Sequence, residues 1–123
     1  MIEVKNLTKH YGSKVALEDV SFSVADGQVL GLLGLNGAGK STAMNIITGY
    51  IGATKGSVTI NGFDIISESM KAKSSIGYLP EQPPLYLDMK VKEYLDFIYH
   101  LKKVKESDKE LHVRQICEQV GIL

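Results

Sequence analysis

The chain has 123 residues, 14 basic and 14 acidic side chains, and a formal net charge of zero. This length predicts one domain with a modest core, and the balanced charge argues against a nucleic-acid-binding surface, which needs a basic excess. The single cysteine, Cys117, excludes an internal disulfide framework and fits a reducing compartment, while no apolar run approaches the ~18 residues that span a bilayer.

The N-terminal part is predicted to be mainly antiparallel strand. Residues 1–7 alternate apolar and charged side chains, as a half-exposed strand does, and the polar residues 6–13 predict a loop. Residues 20–24 alternate again and predict a second strand. Asp26-Gly27 is a strong hairpin-turn signal, and the apolar run at 28–33 predicts a buried strand that leads into a glycine-rich loop.

That loop fits the pattern G-x-x-x-x-G-K-[ST] of phosphate-binding loops. Behind it, apolar positions at helical spacing over 40–48 predict a helix that ends at Gly49. A strand, a loop and a helix in this order are the context that the pattern requires. A chance match is the alternative interpretation. The loop consists of Gly34, Leu35, Asn36, Gly37, Ala38, Gly39, Lys40, Ser41 and Thr42.

These residue types suit the phosphates of a nucleotide. A helix N-terminus offers unpaired backbone N–H groups and the positive end of the helix dipole. The loop glycines, Gly34, Gly37 and Gly39, permit positive φ and a close approach of the backbone to phosphate. Lys40 is predicted to contact the β- and γ-phosphates, and Ser41 to give its hydroxyl to Mg²⁺. The hydroxyl and N–H of Thr42 are expected on the α-phosphate side.

The remainder of the chain predicts a hairpin, an irregular loop and two helices. Strands at 57–60 and 63–65 flank the turn signal Asn61-Gly62, residues 67–73 predict a helical turn, and 75–79 a further strand. Three prolines between 80 and 84 enforce a loop. Apolar spacing predicts a helix over 91–103. A capping box, Ser107-x-x-Glu110, opens a second helix that ends at Gly121 and carries Cys117 as a buried thiol on its apolar face.

Six segments, in this order along the chain, resemble the ATPases of ATP-binding cassette (ABC) transporters. The sequence GYLPE is most similar to the branch of multidrug, antibiotic-export or gliding-type systems. The resemblance implies an α/β fold of the P-loop NTPase type, a RecA-like core with an N-terminal antiparallel β subdomain. Residues 1–85 would form the β subdomain and P-loop core, and 86–123 would begin the helical subdomain. The segments are IEVKNLTKHY at 2–11, ALEDVSFSVADG at 16–27, GLLGLNGAGKST at 31–42, GSVTINGFD at 56–64, IGYLPE at 76–81 and LYLDMKVKEYL at 85–95.

The resemblance also implies roles for single residues. Tyr11 stands where the family has an aromatic ring that stacks on adenine; from the residues alone, surface packing is the alternative. Val15 and Ala16 are expected in the same pocket. Glu81 occupies the position of the family's glutamine loop, and Gln82 would take it after a one-residue slip. Glu81 can also bind Mg²⁺.

Two departures from the family pattern stand out. Lys90 replaces the usual Ser or Thr helix cap, which costs about 1 kcal/mol. The signature motif, the strand ending in Asp-Glu and the switch histidine do not occur in residues 1–123, since the three histidines lie elsewhere and are expected at the surface. The chain is therefore expected to be the N-terminal part of one ABC ATPase domain, truncated before these motifs.

The function implied by the resemblance is ATP binding and hydrolysis coupled to transport across a membrane, with ATP and Mg²⁺ as cofactors. The expected partners are a membrane-spanning subunit and a second ATPase subunit, and the expected location is the cytoplasmic face of the membrane. Residues 1–123 alone are expected to be inactive. The alternative is another P-loop nucleotide-binding or sensor module; a GTPase is disfavoured because no N-K-x-D motif occurs in the sequence.

Overall fold

A computed structural model describes residues 1–35, 37 and 39–123. They fall into two compact units, Met1–Tyr78 and Leu79–Leu123. The first unit contains four strands and two helices, and the second contains two helices. In chain order the elements are β1 (Ile2–Tyr11), β2 (Lys14–Val24), α1 (Lys40–Ile47), β3 (Lys55–Ile60), β4 (Phe63–Asp64), α2 (Ser69–Ser74), α3 (Val91–Leu101) and α4 (Lys109–Val120).

The strands form one antiparallel sheet in the order β2-β1-β3-β4. Ile2 pairs with Val24 of β2 on one side and with Ile60 of β3 on the other. The predicted loop at 6–13 is therefore wrong except at its end, because β1 continues to Tyr11. Pairing with strands on both sides fixes this polar stretch as strand, since cross-strand contacts outweigh intrinsic β-propensity.

The core of the first unit lies between the sheet and α1. Its buried residues include Val4, Leu7 and Val58 from the sheet and Ala43 and Ile46 from α1. A register shift between Val4 and Leu7, next to Asn6 with its φ of 49°, lets both side chains face the core although they are three positions apart. Helical spacing places Ala43 and Ile46 on one face of α1. Helix α1 stops at Ile47, and Gly49 follows with a φ of 76°, which confirms the predicted glycine at the end of this helix.

The second predicted hairpin is confirmed, with β3 beginning two residues before its predicted start and β4 ending one residue before its predicted end. Asn61 and Gly62 have φ values of 50° and 82°, as the turn signal requires. In β4, Asp64 accepts hydrogen bonds from the N–H groups of Ile66 and Ser67 at 2.8 and 2.9 Å. The helical turn predicted for 67–73 corresponds to α2.

Two predicted strands are wrong. Residues 28–33 and 75–79 are not strands, and no strand of the described residues pairs with either segment. Val29 and Leu33 are 96% and 94% exposed, so the predicted burial of the first segment is wrong as well. An apolar run becomes a strand only where neighbouring strands take up its N–H and C=O groups, and the local sequence does not specify such neighbours.

Helices α3 and α4 of the second unit correct two cap predictions. The N-cap of α4 is Asp108, whose Oδ1 accepts from the N–H of Leu111 at 3.0 Å, so the capping box predicted at Ser107 is wrong by one residue. At the start of α3, Glu93 Oε2 accepts from the N–H of Lys90 at 2.9 Å. This is one of the two hydrogen bonds of a capping box. It partly compensates for the second bond, which lysine cannot make because its side chain has no acceptor.

Helix α3 ends at Leu101, two residues before its predicted end. Helix α4 ends at Val120 and is followed by its C-cap Gly121, which has a φ of 75°. Cys117 is 8% exposed, which confirms the buried thiol. The expectation that the histidines lie at the surface is corrected for His112. Its side chain is only 26% exposed and lies beside the ring of Tyr99.

Candidate functional site

The start of α1 has backbone N–H groups that no side chain of the helix or its cap accepts from. Gly39 is its N-cap with a φ of 95°, and the N–H of Ala43 donates to the carbonyl oxygen of Gly39 at 2.9 Å. Within this helix and its cap, all of which the structure describes, no side chain caps the N-terminus and the first turn carries no acidic residue. The N–H groups at the start of α1 therefore have no intrahelical partner. This arrangement favours an anionic ligand.

Strand β2 fixes the position of this helix start. A Cβ built on Gly39 would lie 2.4 Å from the carbonyl oxygen of Ala16 and 2.7 Å from Leu17 Cδ2. Gly37 also has a positive φ, of 86°. The positive φ predicted for these two loop glycines is confirmed, and at Gly39 close packing excludes a side chain as well.

A cavity of about 290 Å³ lies at this helix start. It brings together the ring of Tyr11 and most of the phosphate-loop residues, as the sequence predicts. Asn36 and Ala38 lie outside the described residues. The cavity is lined by Tyr11, Lys14, Ala16, Leu35, Gly37, Gly39, Lys40, Ser41 and Thr42.

The charge of this lining is positive. Lys14 and Lys40 are its two ionised residues, and its described members include no carboxylate. The ammonium of Lys40 donates a hydrogen bond to the carbonyl oxygen of Gly34, so it bridges the two ends of the loop. Two cations, the aliphatic hydroxyls of Ser41 and Thr42 and a helix N-terminus can together bind a polyanion such as a phosphate chain.

The sequence interpretation missed Lys14. Tyr11 and Lys14 are cross-strand partners that close the β1–β2 hairpin over Gly12, whose φ is 58°. Successive side chains of a strand alternate between the two faces of the sheet. Lys14 and Ala16 therefore share the face of the cavity, whereas Val15, predicted to line the pocket, is not among its described lining residues. This alternation is the signal that identifies Lys14.

Tyr11 itself is 49% exposed and has a cation beside its ring. Lys9 Nζ lies 5.1 Å from the ring centroid and donates a hydrogen bond to the carbonyl oxygen of Gly52 at 2.8 Å. Lys9 is a second residue that the sequence interpretation missed. Its position two residues before Tyr11 on the same strand gives both side chains the same face.

Glu81 and Gln82 lie in the loop before α3, in the second compact unit, and both are exposed. Their assignment to the glutamine-loop role stays a prediction. The residues that the structure describes contain no cluster of three or more His, Cys, Asp or Glu able to hold a metal ion. A protein-only metal centre is therefore not found in this part of the chain.

The second unit has a larger cavity of about 500 Å³ between α3 and α4, with Val91, Leu95, Val113 and Cys117 among its lining residues. Its lining mixes apolar side chains with charges of both signs. Its described lining includes the first residues of both helices but no glycine-rich loop. No helix within the described residues is long and apolar enough to cross a membrane.

Residues 17–123 match the protein-family model that is described as ABC transporter. A linearmycin resistance ATP-binding protein of Bacillus subtilis is 34% identical over 122 residues, which cover 99% of this chain and 39% of that relative. An ABC transporter ATP-binding protein of Methanocaldococcus jannaschii is 42% identical over 107 residues, which cover 87% of this chain and 36% of the relative. The chain thus spans well under half of these relatives.

Solved structures show the same likeness. The ATP-binding subunit of an ABC transporter superposes with a TM-score of 0.85 and 31% identity, over 98% of this chain and 50% of the other. A dimeric bacterial ABC transporter cassette gives a TM-score of 0.78 and 28% identity, over 96% of this chain and 55% of the other. The antiparallel sheet with its phosphate-loop helix is therefore part of an ABC-type P-loop fold, as the sequence predicts.

Proposed function

Because this chain belongs to the ABC transporter family, we propose that it supplies the nucleotide-binding part of an ATPase that couples ATP binding and hydrolysis to transport across a membrane. One observation carries the proposal: a single cavity joins the aromatic ring of Tyr11 to the N-terminus of α1 and the ammonium of Lys40. A flat ring suits a purine base, and the helix start with its lysine suits phosphates.

In this proposal the ligand extends from Tyr11 toward the start of α1. The base stacks on the ring of Tyr11, and the phosphates accept hydrogen bonds from backbone N–H groups of the loop, including those of Gly39 and Lys40. The Lys40 ammonium leaves the carbonyl of Gly34 for the β- and γ-phosphates. Thr42 adds a hydroxyl on the α-phosphate side. Asn36 and Ala38 are proposed to take part through their backbone.

Mg²⁺ is proposed to enter with the nucleotide. Mg²⁺ keeps several waters and binds one or two protein oxygens together with substrate phosphates. The hydroxyl of Ser41, in the cavity lining, fits that role, and Glu81 is the candidate second ligand. The ion would neutralise charge on the phosphates. Glu81 or Gln82 is proposed to orient the attacking water.

The names of relatives support two partners for this chain. Relatives carry names such as ATP-binding protein of a multidrug ABC transporter in Escherichia coli, and one solved cassette is described as dimeric. We therefore propose a second ATPase subunit and a membrane-spanning transporter subunit as partners, with this chain at the cytoplasmic face of the membrane.

Calorimetric titration of the full chain with ATP and Mg²⁺ tests the proposal. Lys40→Ala should weaken ATP binding about 10- to 100-fold, because a charge-assisted contact of about 1.5–3 kcal/mol is lost. Lys5→Ala is the matched control, an exposed lysine on β1 outside the cavity lining, and should leave the affinity unchanged. Equal affinities of Lys40→Ala and the wild type would contradict the proposal, and tighter GTP than ATP binding would favour a GTPase.

A further inference from the structure

Lys9 is linked to two parts of the first unit at once. Its ammonium donates to the carbonyl oxygen of Gly52, in the loop that follows α1, at a distance of 2.8 Å. The same nitrogen lies 5.1 Å from the centroid of the Tyr11 ring, within the ~6 Å over which a cation is attracted to the face of an aromatic ring. The residue is half-buried, and the hydrogen bond of its ammonium to Gly52 is exposed to solvent.

The anchor of this lysine is held by further hydrogen bonds. Thr54 N–H donates to the carbonyl oxygen of Thr8 at 2.8 Å, and His10 N–H donates to Thr54 Oγ1 at 3.0 Å. The loop carrying Gly52 is therefore tied to the last residues of β1 on both sides of Lys9. A lysine ammonium normally moves freely on a four-carbon stem, but here the carbonyl acceptor gives it a defined position.

Tyr11 ends β1 at the hairpin turn and is 49% exposed. Lys9 is not among the described residues that line the cavity, whereas Tyr11 is. One face of the ring can thus meet the ammonium while the other face stays available to the cavity. An aromatic ring accepts partners on both faces.

We infer that Lys9 is a positioning residue for base recognition: its ammonium, fixed by Gly52, holds the Tyr11 ring in the orientation that stacks on the base of the nucleotide. This inference rests on the proposed function, because it presumes that Tyr11 contacts a base. Lys9 touches neither the base nor the phosphates. It reduces the side-chain freedom that Tyr11 loses on binding, and preorganisation of this kind increases affinity.

The consequence is a base-selective effect. Removing the charge of Lys9 should weaken ligands that contain a base and leave ligands made only of phosphate unaffected. Lys9→Met keeps an unbranched side chain one atom shorter and removes its charge, and Lys9→Arg keeps a cation that can contact both the carbonyl and the ring. Lys5→Met is the control on the same strand, since Lys5 is exposed and lies outside the cavity lining.

The experiment measures dissociation constants of the full chain for ATP and for inorganic tripolyphosphate, both with Mg²⁺. Lys9→Met should raise the ATP constant about two- to fivefold, the size expected for one exposed cation–π contact, and leave the tripolyphosphate constant unchanged. Lys9→Arg and Lys5→Met should resemble the wild type. In a Tyr11→Ala background, Lys9→Met should have no further effect on ATP, because both residues act through the same ring.

Equal losses for ATP and tripolyphosphate, additive losses in the double variant, or an unchanged ATP constant in Lys9→Met would each overturn the inference. If Lys9→Met lowers the melting temperature, Lys9→Arg decides, because a loss of ATP affinity in that variant also overturns it. A wild-type chain that binds neither ligand would overturn the proposed function and the inference with it. An ATP affinity that depends on Tyr11 and not on Lys9 would overturn the inference alone.

Discussion

Gly39 and Ala16 lie so close together that a Cβ at Gly39 would stand 2.4 Å from the carbonyl oxygen of Ala16. Gly39 is the N-cap of α1, and Ala16 lies in β2 two residues beyond Lys14. This contact sets the distance between the helix start, which offers phosphate donors, and the hairpin that carries Tyr11. The geometry of the cavity therefore depends on a glycine whose neighbour is distant in sequence.

We predict that Gly39→Ala destabilises the protein by about 2–4 kcal/mol, because it combines a positive φ with an overlap that the backbone must relieve. ATP affinity should fall as well, since the helix start moves away from β2. Chemical denaturation and titration measure the two effects. Gly52→Ala is the control, because a Cβ at that position would meet nothing within 4 Å, and its cost should stay within about 0.5 kcal/mol. Equal costs for the two variants would contradict this packing.

A comparison of alanine substitutions at Gly56 and Gly62 distinguishes the cost of steric overlap from the cost of backbone strain. Both have a positive φ, 88° and 82°, but a Cβ at Gly56 would lie 2.3 Å from the carbonyl oxygen of Asn6, whereas nothing lies within 4 Å at Gly62. Gly62→Ala should cost about 1–2 kcal/mol from strain alone. Gly56→Ala should cost at least about 1 kcal/mol more. Urea denaturation of both variants gives the difference, and the opposite order would show that β1 and β3 are not packed in this way.

The N-cap of α4 gives a prediction that distinguishes two adjacent residues. Asp108→Ala removes the acceptor for the N–H of Leu111 and should destabilise the second unit by about 1 kcal/mol. Ser107→Ala should change stability by less than about 0.5 kcal/mol, because the cap is one residue further along. Hydrogen exchange of the first turn of α4 reports the loss locally. Faster exchange in Ser107→Ala than in Asp108→Ala would restore the capping box predicted from the sequence.

Asp64 should make stability depend on pH. The N–H groups of Ser67 and Ile66 hold the pKa of this carboxyl below its usual value of 3.8. A lowered folded-state pKa gives stability that is complete above the unfolded-state pKa and lost as the pH falls through the folded-state pKa. The stability difference between the wild type and Asp64→Asn should therefore stay constant above about pH 5 and shrink below pH 3.8. Urea denaturation at a series of pH values measures it, and a difference that grows on acidification would contradict the assignment.

Local signals explain what the sequence predicted correctly. The phosphate loop, the helix behind it and the Asn61-Gly62 turn each depend on residues that are neighbours in the chain. A glycine at positive φ or an apolar side chain every third or fourth position has the same preference wherever the segment lies. The ordered motifs and the family resemblance together also predicted that Tyr11 and the loop residues belong to one site. Tyr11 and most of the loop residues line one cavity, and their binding of nucleotide stays a prediction.

The tertiary structure decided everything that depends on a distant partner. The continuation of β1 through a polar stretch follows from pairing on both sides, and the segment at 28–33 is not a strand because no described strand pairs with it. Lys14 lies at the cavity because the register of the β1–β2 hairpin pairs it with Tyr11. Lys9 lies beside the Tyr11 ring while its ammonium is hydrogen-bonded to the carbonyl oxygen of Gly52. The sequence alone determined which chemical groups could bind a nucleotide. Only non-local backbone pairing and packing decided which of them meet around one cavity, because contact between distant residues depends on register and not on composition.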